Sequence, residues 1–127
     1  QLRGYRCFYI ADAVVTYQGS GLVGRYSDFQ VYHGHRNLVW VYLINMPSPW
    51  LWIYLPQHLL YNLASIVLFI FRRKGRVIFR SKIDAIKGLS RAWQRRKNVQ
   101  AKARVSTIEL RKRMSHGLLA PYFNRNE

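Results

Sequence analysis

Acid is what this chain has least of: five Asp and Glu stand against 21 Lys and Arg in 127 residues, for a formal charge of +16. The acids are scattered, so there is no paired-carboxylate motif for general acid–base chemistry. No glycine-rich loop followed by Lys is present to cradle phosphate, and no nucleophile has a plausible base beside it. The single cysteine, Cys7, excludes an internal disulfide and a cysteine-based zinc site, and reads as a small buried residue in a strand. The start lacks a charged segment, a short apolar stretch and a small-residue cleavage site. Opening on Gln1, the chain reads as a fragment of a larger protein or a processed piece. Apolar residues are concentrated in one block, which disfavours a lone soluble domain.

Charge is as unevenly spread as apolarity. Residues 1–37 hold four bases and two acids, residues 38–71 hold no Asp, Glu, Lys or Arg, and residues 72–127 hold 17 bases against three acids. A basic tract of this kind seeks an anionic surface, either acidic lipid or nucleic acid.

Local signals divide the chain further. Gly4 closes a helix end, and residues 7–18, rich in β-branched and aromatic side chains, read as a strand interrupted near Asp12. The glycine-rich stretch GSGLVG reads as a loop, and Ser27 or Asp28 as the cap of a helix that begins near Phe29. Within the 34-residue apolar block, Pro47 and Pro49 break the helix and place a turn at Pro47-Ser48-Pro49. The piece before the turn covers only about half of a ~30 Å hydrocarbon core, whereas the piece after it, at roughly 35 Å, is just long enough to cross.

In that second piece Tyr54, Gln57, His58, Tyr61, Asn62 and Ser65 form a polar stripe, opposite Leu51, Leu55, Leu59, Leu63 and Ile66. The stripe predicts a helix lying among headgroups; the all-apolar end, residues 67–71, fits a tilted span packed on protein. Insertion from one side is the favoured reading, with Pro56 tolerated as a kink. After Arg72, Arg73, Lys74 and the breaker Gly75, apolar residues recur at Phe79, Ile83, Ile86, Leu89 and Trp93. Arg80, Lys82, Lys87, Arg91, Arg95 and Arg96 fall opposite, so one basic amphipathic helix is predicted over 77–97. A capping box, Ser106-x-x-Glu109, flanked by Val105 and Leu110 in staple positions, predicts a last short helix.

Candidate binding residues are few. His33 and His35, two apart, point to different sides of a helix and would share a metal poorly, and His58 has no acid or histidine within one turn; no metal site is assigned. Gly19-Ser20-Gly21 is most simply a turn, with Ser20 a possible phosphate contact. Arg36 is the last charge before the apolar block and belongs at a membrane surface, either as a snorkelling anchor or as an arginine meeting a diphosphate. Trp50, Trp52, Arg72, Arg73, Lys74 and Trp93 are the expected membrane-binding residues, and anionic lipid the expected surface.

The order GYRCFYIADAVVTYQGSG, then SDFQVYHGHRNLVWVYLINMPSPWLW, resembles the C-terminal third of family 2 glycosyltransferases of the rhamnosyltransferase-like kind, which build bacterial surface polysaccharides. The likeness spans about residues 1–115 and is strongest over 4–50. It implies a GT-A α/β catalytic domain that binds a nucleotide sugar with a divalent metal, Mg or Mn, and transfers the sugar to a lipid-linked glycan acceptor. The nucleotide-binding strands, the acidic metal motif and the catalytic carboxylate of that family precede the point where this chain begins. Related sequences often carry His where Tyr17 stands, and Tyr17 cannot replace it as a nitrogen ligand.

The expected architecture is therefore mainly α. Residues 1–37 are the end of a GT-A domain with a short β segment, 38–71 membrane-inserted or interfacial helices, and 72–127 basic amphipathic helices and a tail. The resemblance implies that Arg36, His33, His35 and Ser20 border the acceptor diphosphate and that the chain, at the cytoplasmic face of the bacterial inner membrane, is inactive alone. Basic residues on both flanks of the apolar block suggest that it enters and returns, or lies flat. Two other readings stand beside this one: a nucleic-acid-binding protein, against which the apolar block weighs, and a small membrane-anchoring protein.

Overall fold

The computed structural model describes residues 2–5, 12, 14, 24, 26–112 and 114, and its regular structure is five helices. They are α1 (Asp28–Asn45), α2 (Ser48–Phe71), α3 (Gly75–Lys87), α4 (Leu89–Ala101) and α5 (Thr107–Lys112). The mainly helical expectation holds. There is no strand among the described residues; the strand expected over 7–18, apart from Asp12 and Val14, lies outside them, as do Cys7, Tyr17 and Ser20.

Helix starts and stops follow local chemistry. Ser27 caps α1, its hydroxyl accepting from the Gln30 amide at 3.2 Å, while the Gln30 side chain accepts from the Tyr26 amide at 3.0 Å. α1 ends at Met46, and α2 starts behind Pro47 with Pro49 in its first turn, where a missing amide costs nothing. Pro56 sits inside α2 without ending it. At the far end the Lys74 amide donates to Phe69 O at 2.8 Å and the Arg73 amide to Ile70 O at 2.9 Å. That is a Schellman closure, with Arg73 in the left-handed region at φ 58° where glycine is usual. The turn is thus made by Arg72, Arg73 and Lys74, and Gly75 opens α3 instead of breaking the chain. The Ser106 cap forms as expected, the Glu109 amide donating to Ser106 Oγ at 3.1 Å.

The single helix expected over 77–97 is two helices, broken at Gly88. The cause is tertiary. Both α3 and α4 pack on α1, and the Trp40 indole of α1 occupies the space where a side chain at Gly88 would stand. A seam of Ile78, Ser81, Ala85, Gly88, Ala92 and Arg96 runs along that contact at spacings of three or four, with small residues at its centre. Small side chains let the helix backbones come close, which replaces large-residue interdigitation by backbone-level contact. α2 packs on α3, where Phe69 joins Val31 and Ile78 in a core flanked by Ile66 and Val77.

Candidate membrane interface

The apolar stripe read on α3 and α4 faces outward; of the one read on α2, Leu59 and Leu63 are exposed, Leu55 is half-buried, Leu51 is buried and Ile66 packs on the core. On α3 and α4, Phe79, Ile83, Ile86, Leu89 and Trp93 are exposed, and Phe79, 49% exposed, follows directly on Ile78, which is fully buried. Among the described residues, the stripe that an amphipathic helix would turn to its own core is here largely uncovered at Phe79, Ile83 and Ile86 and partly so at Leu89 and Trp93. Beside it Arg76, Arg80 and Lys87 are also exposed.

α2 is turned the same way. Of its polar stripe, Tyr54, Gln57, His58, Asn62 and Ser65 are half-buried and Tyr61 is exposed, whereas Trp52 (62% exposed), Ile53, Leu59, Leu60, Leu63 (59%), Val67, Leu68, Ile70 and Phe71 are exposed. The polar stripe therefore faces protein and not headgroups, reversing the orientation expected of a helix lying with that stripe toward water. Its partners are specific: His58 stacks on Tyr42 with centroids 4.0 Å apart, Tyr42 donates to Leu51 O at 2.6 Å, and Asn62 Oδ1 accepts from Lys82 Nζ at 2.5 Å. A soluble helix reverses this arrangement, because burying polar groups while wetting apolar ones loses on both counts.

Two bases read as outward-facing point inward. Lys82 reaches Asn62 and, at 3.5 Å, the His35 carbonyl; burial pushes its amine down to about 8. Arg96 is 4% exposed and donates to Leu43 O at 2.6 Å, Met46 O at 2.5 Å and Ser48 Oγ at 3.0 Å, while Gln100 donates to Ile44 O at 3.0 Å. These are the carbonyls left open at the C-terminal end of α1, so Arg96 and Gln100 close it from another helix. The 3,4 seam of small residues ending at Arg96 was the signal in the sequence for this inward face.

The histidines separate as their spacing implies. His33 Nδ1 accepts from Arg36 at 3.1 Å. His35 faces α2, with its ring edge-on to Phe69 at 4.9 Å and its Nδ1 buried without a partner. Burial and then the Lys82 charge hold its imidazole below the ordinary histidine range. Arg36 lies over Trp40 at 4.7 Å and Tyr32 at 5.2 Å and donates to Asn37 Oδ1. Among the described residues no three His, Cys, Asp or Glu side chains gather as a metal would need.

The expected lipid contacts are spread over different surroundings. Trp52 and Trp93 face outward. Trp50 turns onto α5, donating to Thr107 O at 3.1 Å under the Arg111 guanidinium. Arg72 lies over Tyr26 at 4.4 Å, and Arg73 is exposed. Lys74 is ion-paired with Asp28, which offsets its charge. Comparison with known proteins finds no matching family model, no matching curated protein and no matching solved structure.

Proposed function

We propose that this chain is the membrane-docking, C-terminal helical portion of a family 2 glycosyltransferase, which moves a sugar from a nucleotide donor to a lipid-linked acceptor in surface polysaccharide synthesis. What supports docking is the orientation of α2, with apolar side chains outward and the polar stripe held against α1 and α3. α2, with 24 residues, is long and apolar enough to cross a bilayer. Its packing argues for lying at the surface. α3 is packed on α2, and Lys82 is tied to mid-α2 at Asn62, so a crossing would carry Arg76, Arg80 and Lys87 into hydrocarbon at roughly 2.5–3.5 kcal/mol each. A helix docked from the cytoplasmic side keeps those bases among anionic headgroups.

The glycosyltransferase half of the proposal rests on the ordered strings over 4–50. On this reading residues 1–37, with a β segment at 7–18, complete a GT-A domain whose nucleotide site, divalent metal and catalytic carboxylate lie in the preceding part of the protein. Arg36 with His33, and Ser20 from the loop before α1, border the acceptor, whereas His35 serves the packing of α2. The isolated chain then transfers no sugar when incubated with nucleotide sugars and lipid diphosphate acceptors. Transfer above a blank would overturn that.

The decisive test of docking is sedimentation with neutral and anionic liposomes at low and high salt. Apolar burial, at roughly 25 cal/mol per Å², is not screened by salt, so the whole chain should stay on both liposomes in 1 M salt, where the screening length is about 3 Å. Release by salt would show a purely electrostatic attachment and favour the nucleic-acid reading.

A further inference from the structure

The geometry points to a binding site that the basic tail conceals: Arg36 of α1 and Arg80 of α3, gathered around Tyr32, form one oxyanion site for the phosphate of an amphiphile whose apolar end rests on the α3 stripe. The Tyr32 hydroxyl donates to Asp84 Oδ2 at 2.7 Å, which fixes the ring between the two helices. The Arg36 guanidinium carbon is 5.2 Å from the ring centroid and that of Arg80 is 5.7 Å from it. Two like charges on one ring repel, and neither guanidinium has a carboxylate within ion-pair distance among the described residues.

Among the described residues Arg36 bonds to neutral acceptors, His33 Nδ1 and Asn37 Oδ1, and lies over the Tyr32 and Trp40 rings, so no carboxylate balances its charge. The nearest acid, Asp84, is already engaged by Tyr32 and, at 3.8 Å, by Lys87. For His33 Nδ1 to accept, its proton must be on Nε2, which supplies a further donor on the same side of α1. The Nε and Nη2 edge of Arg36 is held by Asn37 and His33, so its Nη1 and the Arg80 guanidinium are the donors offered to an oxyanion, and a phosphomonoester or diphosphate has oxygens enough to take both, as a single carboxylate does not.

The apolar half of the ligand follows from the neighbours of Arg80. Phe79 precedes it and Ile83 stands one turn on, both about half exposed and both on the outward stripe. A phosphate at Arg80 therefore has lipid-compatible surface beside it. The lipid end of this assignment rests on the docking reading above, while the phosphate end stands on the two guanidiniums alone.

The test uses the whole chain in two arms. In one, flotation compares phosphatidylcholine vesicles carrying phosphatidic acid with vesicles carrying phosphatidylglycerol at matched surface charge; in the other, inorganic pyrophosphate is followed by ³¹P NMR. Arg36→Lys and Arg80→Lys keep charge and lose the fork, and Arg95→Lys on α4 is the control. Each of the first two should reduce the phosphatidic acid preference and pyrophosphate affinity roughly tenfold, with the control unchanged. Equal behaviour of all three variants would remove the site. Pyrophosphate binding that depends on both arginines, without any phosphatidic acid preference, would overturn the amphiphile and leave a free-phosphate site. If no vesicle binds at all, docking falls, and loss of pyrophosphate binding in the two variants still upholds the phosphate contacts.

Discussion

The indole of Trp40 donates to the Ala85 carbonyl at 2.9 Å, and its ring fills the space over Gly88 so closely that a methyl group there would stand 2.8 Å from Cε2. Gly88 has φ −87°, which any residue adopts, so the need for glycine is steric. Gly88→Ala should therefore destabilise the fold by about 1–3 kcal/mol although alanine is the better helix former. In a Trp40→Ala background the same change should become neutral or stabilising. Chemical unfolding of the four proteins in mild detergent gives the coupling directly; no coupling would show that the break at Gly88 has another cause.

Arg96 closes the end of α1 from α4. Arg96→Leu leaves the carbonyls of Leu43 and Met46 buried without donors and should cost about 2 kcal/mol or more. Arg96→Lys should recover little, because one ammonium does not reproduce the forked reach to two carbonyls and Ser48 Oγ. Arg95→Leu, one residue earlier and exposed, should leave the unfolding midpoint within experimental error.

Ile78 and Phe79 are sequence neighbours with opposite tasks. Ile78→Ala, in the core with Val31 and Phe69, should lower stability by roughly 2–5 kcal/mol. Phe79→Ser should leave stability nearly unchanged in detergent and weaken liposome binding at high salt. Paired unfolding and flotation assays separate the two; a Phe79→Ser chain that unfolds early would place the stripe in a protein contact.

Arg73 occupies the left-handed position that closes α2. Arg73→Gly should relieve about 1 kcal/mol of backbone strain and raise the melting temperature. The same change removes an exposed charge beside α2 and should weaken attachment to anionic vesicles at low salt. A gain in stability with unchanged anionic binding would mean that the arginine is there without a surface role.

Lys82 and His35 make the packing of α2 depend on pH in one sense. Burial lowers the Lys82 amine to about 8, so between about 8 and its ordinary 10.5 the unfolded chain binds the proton and the folded chain does not. Stability contributed by this group therefore rises with pH through that window and is flat below it. His35, also lowered, binds its proton more readily unfolded, so stability falls as pH drops below about 6.5. The groups facing Lys82 are His35 on α1 and His58 and Asn62 on α2. Lys82→Met should flatten the alkaline rise in a pH series of unfolding midpoints, and His35→Phe the acid fall; unchanged slopes would place both groups in water.

The starts of α1, α2 and α5 were legible because each depends on groups within a few residues: the Ser27 hydroxyl and the Gln30 amide, the missing donors of Pro47 and Pro49, the Ser106 hydroxyl and the Glu109 amide. Charge placement and the apolar stripes were equally legible, since they are properties of order along the chain. Periodicity does not say what covers a stripe, however. Phe79, Ile83, Ile86 and Trp93 would read alike against protein or lipid, and the outcome was decided by the small residues Ser81, Ala85, Gly88 and Ala92, which let α1 approach the opposite face. That approach fills the seam, turns Lys82 and Arg96 inward and breaks the helix under Trp40. Order along the chain set where α1, α2 and α5 could begin; close packing across distant segments set where the 77–97 helix broke and which faces were left exposed.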